Sequence, residues 1–206
     1  MRISAVVTTN IAGKESIVKD RAIIISFAVS LLAVISGTLI YIFAESLIFD
    51  EILNIFTRFS TDFTAKTKTE IFSGIILSHI PYVFLVAIFG MTSIGVYLVS
   101  VVSFIKISGI SIVNAYLYSS FGLKGIEYAA LVFLPAKFIL IFSVIYLMHT
   151  AMNNSIYINR LTKGERVQEN SGISYLIKVI AAVILLIIAS ITEGVLATSF
   201  SSLFEF

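Results

Sequence analysis

Residues 23–43 read IIISFAVSLLAVISGTLIYIF, a run without a single charged side chain. A helix of about 20 apolar residues crosses the roughly 30 Å hydrocarbon layer of a bilayer. The whole chain of 206 residues shares this character, because 58% of its residues are hydrophobic and only 13% are charged. Together with a mean hydropathy of +1.04, these values predict an all-α membrane protein that forms a single integral membrane domain over residues 1–206.

Further apolar stretches along the chain predict about five transmembrane helices in all. One other stretch, residues 45–63, has apolar side chains at helical spacing and charged side chains largely on the opposite face. It is too charged to insert, so we expect an outer amphipathic helix over 46–63 on the membrane surface. The predicted spans are 23–44, 75–105, 107–121, 126–149 and 175–200.

The third predicted span, 107–121, is short, and the topology depends on whether it crosses the membrane or re-enters. Cytoplasmic segments carry an excess of lysine and arginine. If 107–121 crosses and the N-terminus is cytoplasmic, Lys106 and the basic residues between 160 and 178 lie inside. If it does not cross, that basic cluster moves outside, against the rule. We therefore expect an outer C-terminus, with residues 45–70 facing outward and 150–174 facing the cytoplasm.

The sequence has no constellation that predicts catalysis or a bound cofactor. It contains no cysteine and only two histidines, His79 and His149, which fall near opposite ends of the predicted spans. Two such residues cannot share one metal ion, and no phosphate-binding glycine loop is present. The chain is therefore predicted to be a non-enzyme without metal or cofactor, and its histidines to be interfacial polar anchors. Its net charge of +2 gives no reason to expect a nucleic-acid partner.

Small residues recur at helical spacing in two of the predicted spans. The first stripe is Ala33-x-x-x-Gly37, and the second is Ser190-x-x-x-Gly194-x-x-x-Thr198. Such stripes let helix backbones approach closely in lipid, where van der Waals contact drives association. They serve either to pack the spans against each other or to dock a partner's membrane helix. Because every multi-span protein needs packing stripes, the first use is favoured.

Residues 119–138, SSFGLKGIEYAALVFLPAKF, place glycines, charges and a proline inside the apolar half of the chain. The GLKG segment predicts a compact outer turn, with Gly122 and Gly125 available for positive φ. Pro135 lacks a backbone N–H, so the carbonyl of Leu131 loses its usual donor and a kink is expected there.

Lys137 and Glu193 fall in the outer half of the bilayer on two different predicted spans. Intramembrane charges are costly unless they are paired and face the bundle interior. We therefore predict that Lys137 pairs with Glu193, with the Leu131 carbonyl as an additional acceptor. The alternative is that the lysine stem reaches toward the interface alone while Glu193 borders a water-filled notch.

Four segments of the chain resemble the stage II sporulation protein M family of bacterial membrane proteins. The resemblance implies a multi-span protein of the cytoplasmic membrane without catalytic machinery. Founding members of that family hold cell-wall hydrolases at the engulfing septum, and other relatives accompany ABC transporters or bacteriocin export systems. Residues 136–137 are Ala-Lys, where the sporulation relatives resemble Gln-Asn. The four segments are FGMTSIG (89–95), KISGISIVNAYLYSSFGLKG (106–125), VFLPAKF (132–138) and ITEG (191–194).

Two functional hypotheses follow. The first is a scaffold that recruits envelope proteins, such as wall hydrolases, through its helix faces and the amphipathic segment, with Phe56 and Phe59 at the headgroup level or against a partner. The second is a component of a transport or export system, in which the broken fourth span and its charges line a path beside an ATPase subunit. The absence of catalytic residues, the small-residue stripes and the amphipathic segment favour the scaffold.

Overall fold

The computed structural model describes residues 21–43, 68–165 and 172–200. Within these ranges every regular element is helical, which confirms the predicted all-α membrane class. Four stretches in these ranges are long and apolar enough to cross a membrane. The predicted surface helix over 46–63, with Phe56 and Phe59, lies outside the described residues. The helices are α1 (Arg21–Phe43), α2 (Lys68–Leu77), α3 (Ile80–Gly90), α4 (Gly95–Tyr128), α5 (Leu134–Thr162) and α6 (Gly172–Phe200), with a π-helical turn (Ala129–Phe133) between α4 and α5.

The chain reverses direction near Gly122, within the last part of α4. Gly122 has φ 54° and ψ −127°, a conformation that glycine adopts without steric cost. Val96, at the start of α4, donates its backbone N–H to the hydroxyl of Ser155, late in α5, at 3.1 Å. The segments on either side of Gly122 therefore run antiparallel, and the predicted turn is confirmed.

Gly125 has a different role from the one its sequence position suggests. It lies in a helical turn without positive φ and is buried. A Cβ atom at this position would collide with the carbonyl oxygen of Leu117. Gly125 is therefore required by the close approach of two backbone segments, and the expectation of positive φ at this residue was wrong.

The predicted second span, 75–105, is interrupted by a turn at residues 91–94. α3 ends at Gly90 and α4 begins at Gly95, where a Cβ atom would collide with the carbonyl oxygen of Phe89. The predicted boundary between spans at residues 105–107 is wrong, because Lys106 lies inside a continuous α4. The second pass is instead made by α2 and α3, and the third by α4.

The turns at Gly122 and at residues 91–94 mark opposite ends of the bundle, here called the Gly122 end and the Thr92 end. α1 starts at the Thr92 end, because Ser26 contacts the sulfur of Met152 at 3.6 Å. It finishes toward the Gly122 end, where the ring of Tyr41 lies edge-on to Tyr116. α6 starts at the Thr92 end, where Tyr175 bonds to the backbone of α3. The described helices thus pass along the bundle five times, with bounds that differ from the predicted ones.

The small-residue stripe of α1 is used inside the bundle. Ser108 of α4 donates its hydroxyl to the carbonyl oxygen of Ala33 at 3.0 Å. A Cβ atom on Gly37 would collide with the carbonyl oxygen of the same serine. In α6, Ser190 and Gly194 are likewise buried. These positions support helix packing within the chain, the first of the two uses predicted for such stripes.

We expect Gly122→Ala to lower the free energy of unfolding by about 1–3 kcal/mol, because an L side chain at this φ and ψ is strained. The matched control is Gly109→Ala in the same helix, where an added Cβ meets no atom within 4 Å. Alanine is the better helix former by roughly 1 kcal/mol, so the control should be neutral or stabilising. Reversible unfolding in mixed detergent micelles measures both variants, and equal stability would mean that the turn does not require glycine.

Candidate functional site in the membrane

Lys137 and Glu193 form a close ion pair that joins α5 to α6. The lysine Nζ lies 2.6 and 2.7 Å from the two carboxylate oxygens, and the side chains are only 12% and 16% exposed. The ammonium also lies 4.6 Å from the centroid of the Phe133 ring, a favourable cation–π distance. The predicted pairing is confirmed, and the alternative of two separate charges is not what the structure shows.

The pair lies at one level because α5 and α6 are antiparallel and both have polar anchors at the Thr92 end. Along α5, Lys137 is about 27 Å from Ser155 at 1.5 Å per residue. Along α6, Glu193 is about 27 Å from Tyr175 by the same rise. Ser155 and Tyr175 both bond to backbone groups of the α3–α4 region. The two charges therefore meet toward the Gly122 end of the bundle.

The predicted irregularity at Pro135 takes the form of a π-helical turn over Ala129–Phe133. Leu134 donates its backbone N–H to the carbonyl oxygen of Ala129, five residues earlier, and Pro135 occupies the first turn of α5. The Lys137 ammonium does not use the Leu131 carbonyl. Within the described residues its hydrogen bonds go to the two oxygens of Glu193, so the additional acceptor was wrongly predicted.

A second lysine, Lys106, lies in the membrane near this pair. It was expected at the cytoplasmic boundary, but α4 begins at Gly95 and carries it about 16 Å into the bundle. Its Nζ is 3.4 Å from the carbonyl oxygen of Ser78, where α2 ends. Free carbonyls at a helix C-terminus carry partial negative charge and attract a cation. The charges of Lys137 and Glu193 are close enough to act on Lys106.

His79 follows Ser78 in the break between α2 and α3 and lies inside the bundle. The residue is only 7% exposed, so the prediction of an interfacial anchor was wrong. Neither ring nitrogen has a hydrogen-bond partner among the described residues. The charges of Lys106 and Lys137 both act on the ring. Buried polar atoms are normally hydrogen-bonded, so this histidine needs an explanation.

The sequence contained a signal for Lys106. Between Met91 and Leu123 it is the only charged residue, and a lone charge in the middle of a long apolar run indicates an intramembrane position. The predicted boundary at 105–107 treated the lysine as the end of a span. For His79, the nearby Pro81 marked a helix start, but no pattern in the sequence indicates how close the histidine lies to either lysine.

The remaining predicted site residues lie in two places. Ser190 and Gly194 are on the same helix as Glu193, within about one turn of it, and both are buried. Gly122 and Gly125 form the reversal that precedes the π-helical turn. The Ser190 hydroxyl donates to the carbonyl oxygen of Leu186 at 2.9 Å. In the part of the chain that the structure describes, no cluster of three or more histidine or acidic residues is placed to hold a metal.

A separate polar network stabilises the Thr92 end. Asn154 donates its side-chain amide to the carbonyl oxygen of Gly90 at 3.0 Å. Ser155 donates to the carbonyl oxygen of Thr92 at 2.7 Å and accepts the N–H of Val96 at 3.1 Å. These side chains replace the helical hydrogen bonds lost at the turn. The network has a structural role, because its side chains bond to the chain's own backbone.

We expect Lys137→Met and Glu193→Gln each to lower the free energy of unfolding by about 3–5 kcal/mol, because each leaves one buried group without its partner. The double variant should lose less than the sum of the two single losses. Lys178→Met, at an exposed position of α6, is the control and should change stability little. Unfolding in mixed micelles gives the four values of the cycle, and strictly additive losses would contradict an energetic coupling.

Comparisons of the chain with protein-family models, with curated proteins and with solved structures each found no match. The resemblance to the stage II sporulation protein M family therefore rests on the four sequence segments alone and stays a prediction. The ion pair, Lys106 and His79 are assigned to a candidate site on the geometry of this chain.

Proposed function

We propose that this protein is a non-enzymatic membrane scaffold that recruits or positions partner proteins of the bacterial cell envelope. The supporting observation is that charged groups within the described bundle hold its helices to one another. Lys137 binds Glu193 between α5 and α6, and Lys106 of α4 binds the carbonyl of Ser78 between α2 and α3. The Lys137–Glu193 pair is neutral as a unit and joins two helices, so it is poorly suited to solvating a moving substrate.

A scaffold needs a fixed framework and a surface that partners can recognise. The Ala33–Gly37 stripe packs against α4 within the chain, which leaves the outer amphipathic segment as the favoured contact for partners. Its Phe56 and Phe59 are large apolar side chains, each of which contributes about 1.5–3 kcal/mol when buried. The resemblance to the stage II sporulation protein M family suggests cell-wall hydrolases as the class of partner.

We infer that the Thr92 end faces the cytoplasm and the Gly122 end faces outward. Arg21, Arg160 and Lys163 belong to helix ends on the Thr92 side, whereas Lys124 is the basic residue of the Gly122 turn. This distribution agrees with the positive-inside rule. It gives a cytoplasmic N-terminus and an outer C-terminus in a bacterial cytoplasmic membrane.

Single cysteines introduced as Lys66→Cys and Glu165→Cys test this orientation, because the natural chain has no cysteine. A membrane-impermeant thiol reagent should label position 66 in intact cells and position 165 only after permeabilisation. The unsubstituted chain is the control for background labelling. Labelling at 165 but not at 66 in intact cells would reverse the proposed topology.

A second candidate function is a membrane component of an ABC-type or bacteriocin-type transport system. The observation that favours it is the break between α2 and α3, where buried His79 has no partner among the described residues. Broken membrane helices often line binding sites and substrate paths. The chain has no nucleotide-binding motif, so a transport role requires a separate ATPase subunit.

Affinity purification from native membranes in mild detergent distinguishes the two functions. For a scaffold, we expect an envelope protein to co-purify and to be lost on combined Phe56→Ser and Phe59→Ser, which remove apolar contact area. Phe138→Ser is the matched control, because Phe138 is 77% exposed on α5 and lies away from the amphipathic segment in sequence.

Recovery of a nucleotide-binding subunit would favour the transport component. Isolation of the chain alone under these conditions would count against the scaffold. If the envelope partner is retained by the double variant, the scaffold function stands and the contact must be assigned to another surface.

A further inference from the structure

We propose that His79 and Lys106 form a binding site for one carboxylate group, inside the bundle toward the Gly122 end. This inference goes beyond the scaffold function and does not depend on it. It concerns a small ligand that reaches the break between α2 and α3, whereas the scaffold function concerns protein partners at the bundle surface.

The described charges of this cluster do not balance. Among the described residues of this cluster, Lys106 and Lys137 are cationic and Glu193 is the anionic residue. Both carboxylate oxygens of Glu193 bind Lys137. Among the described residues, the Lys106 ammonium therefore contacts only the carbonyl oxygen of Ser78 at the end of α2. An unbalanced charge in hydrocarbon is costly, and one bound anion would balance it.

Lys106 and His79 have hydrogen-bonding groups that no described residue uses. A lysine ammonium has three donors, and among the described residues Lys106 makes one hydrogen bond, at the long distance of 3.4 Å. His79 is only 7% exposed, and both of its ring nitrogens lack partners in the described chain. A neutral imidazole supplies one N–H donor. The acceptor of the Lys106 bond is the carbonyl of Ser78, the residue before His79, and the charge of Lys106 acts on the imidazole.

A carboxylate is the anion that fits these groups. A carboxylate carries one negative charge and two acceptor oxygens, which match one unbalanced ammonium and one N–H. Ser78 lies about 18 Å from Gly90 along the second pass, in a hydrocarbon layer of roughly 30 Å. About 12 Å of hydrocarbon therefore separates Ser78 from the nearer surface, and a lipid headgroup phosphate would have to enter it to reach the site. A carboxylate reaches it either as a small dissolved acid or as the end of a fatty acyl chain in the bilayer.

The experiment uses the full chain in phosphatidylcholine nanodiscs, labelled with nitrogen-15 at histidine. The chain has two histidines, so comparison with His149→Asn assigns the His79 resonances. Dodecanoate, methyl dodecanoate and propionate are titrated separately. We expect dodecanoate or propionate to produce a saturable shift of the His79 ring nitrogens, and the uncharged methyl ester to produce none. Saturation by dodecanoate alone identifies the bilayer as the source, and saturation by propionate identifies the aqueous phase.

Two variants test the role of the lysine. Lys106→Met should abolish the saturable shift, whereas Lys178→Met on the exposed face of α6 should leave it unchanged. An equal shift with the methyl ester, no saturation with either acid, or an unaltered response in Lys106→Met would overturn the proposal. The comparison of acid with ester needs only the unsubstituted chain, so it decides the matter even if Lys106→Met does not fold.

A final experiment tests whether a carboxylate side chain of the protein itself occupies the site. The acidic residues preceding and beginning α2 are replaced together by amides, and the His79 resonances are recorded without added acid. We expect no shift. A shift in these acid-free discs would show that one of these side chains already occupies the site, and the proposal of a ligand would be wrong. The replacements are Glu45→Gln, Asp50→Asn, Glu51→Gln, Asp62→Asn and Glu70→Gln.

Discussion

Backbone N–H and carbonyl groups in hydrocarbon have no water to bond to, and each one left without a partner costs several kcal/mol. The described helices are interrupted repeatedly, so this constraint has to be met by particular side chains. At the turn after Gly90, Asn154 and Ser155 supply the missing bonds. At the end of α2, Lys106 approaches the free carbonyl of Ser78. At each interruption, hydrogen bonds thereby join helices that are distant in sequence. These hydrogen bonds position the charged cluster.

The ion pair in that cluster contributes specificity more clearly than stability. A buried pair is often no more stable than two well-packed apolar side chains, but removing one partner is strongly destabilising. Lys137 and Glu193 can meet only if α5 and α6 are in one register, because their contact distances are 2.6 and 2.7 Å. A slide of one residue would displace the charges by about 1.5 Å. In a bundle held mainly by nonspecific apolar contact, such a pair selects one alignment.

Sequence reasoning identified the features that depend on local chemistry. The apolar runs gave the membrane class, the glycine of the Gly-Leu-Lys-Gly segment gave the reversal at Gly122, and the cost of lone charges gave the pairing of Lys137 with Glu193. It failed at the turn of residues 91–94, because hydropathy hardly changes there and the turn is stabilised by Asn154 and Ser155, about sixty residues away. With that turn misplaced, Lys106 was assigned to the membrane boundary. His79 was missed for the same reason, since its surroundings come from helices whose alignment depends on the turn.

The π-helical turn at Ala129–Phe133 has a consequence for how this chain can change in length. A π-turn accommodates one residue more than the α-helix it interrupts, and each residue of an α-helix advances the direction of its side chain by about 100°. Deleting a single residue here would therefore rotate everything before it, including the reversal at Gly122, around the axis of α5 relative to Lys137. The rotation of the reversal about the axis of α5, relative to the ion pair, therefore depends on the number of residues between Gly122 and Lys137. Insertions and deletions that preserve the protein are expected outside the interval from 122 to 137.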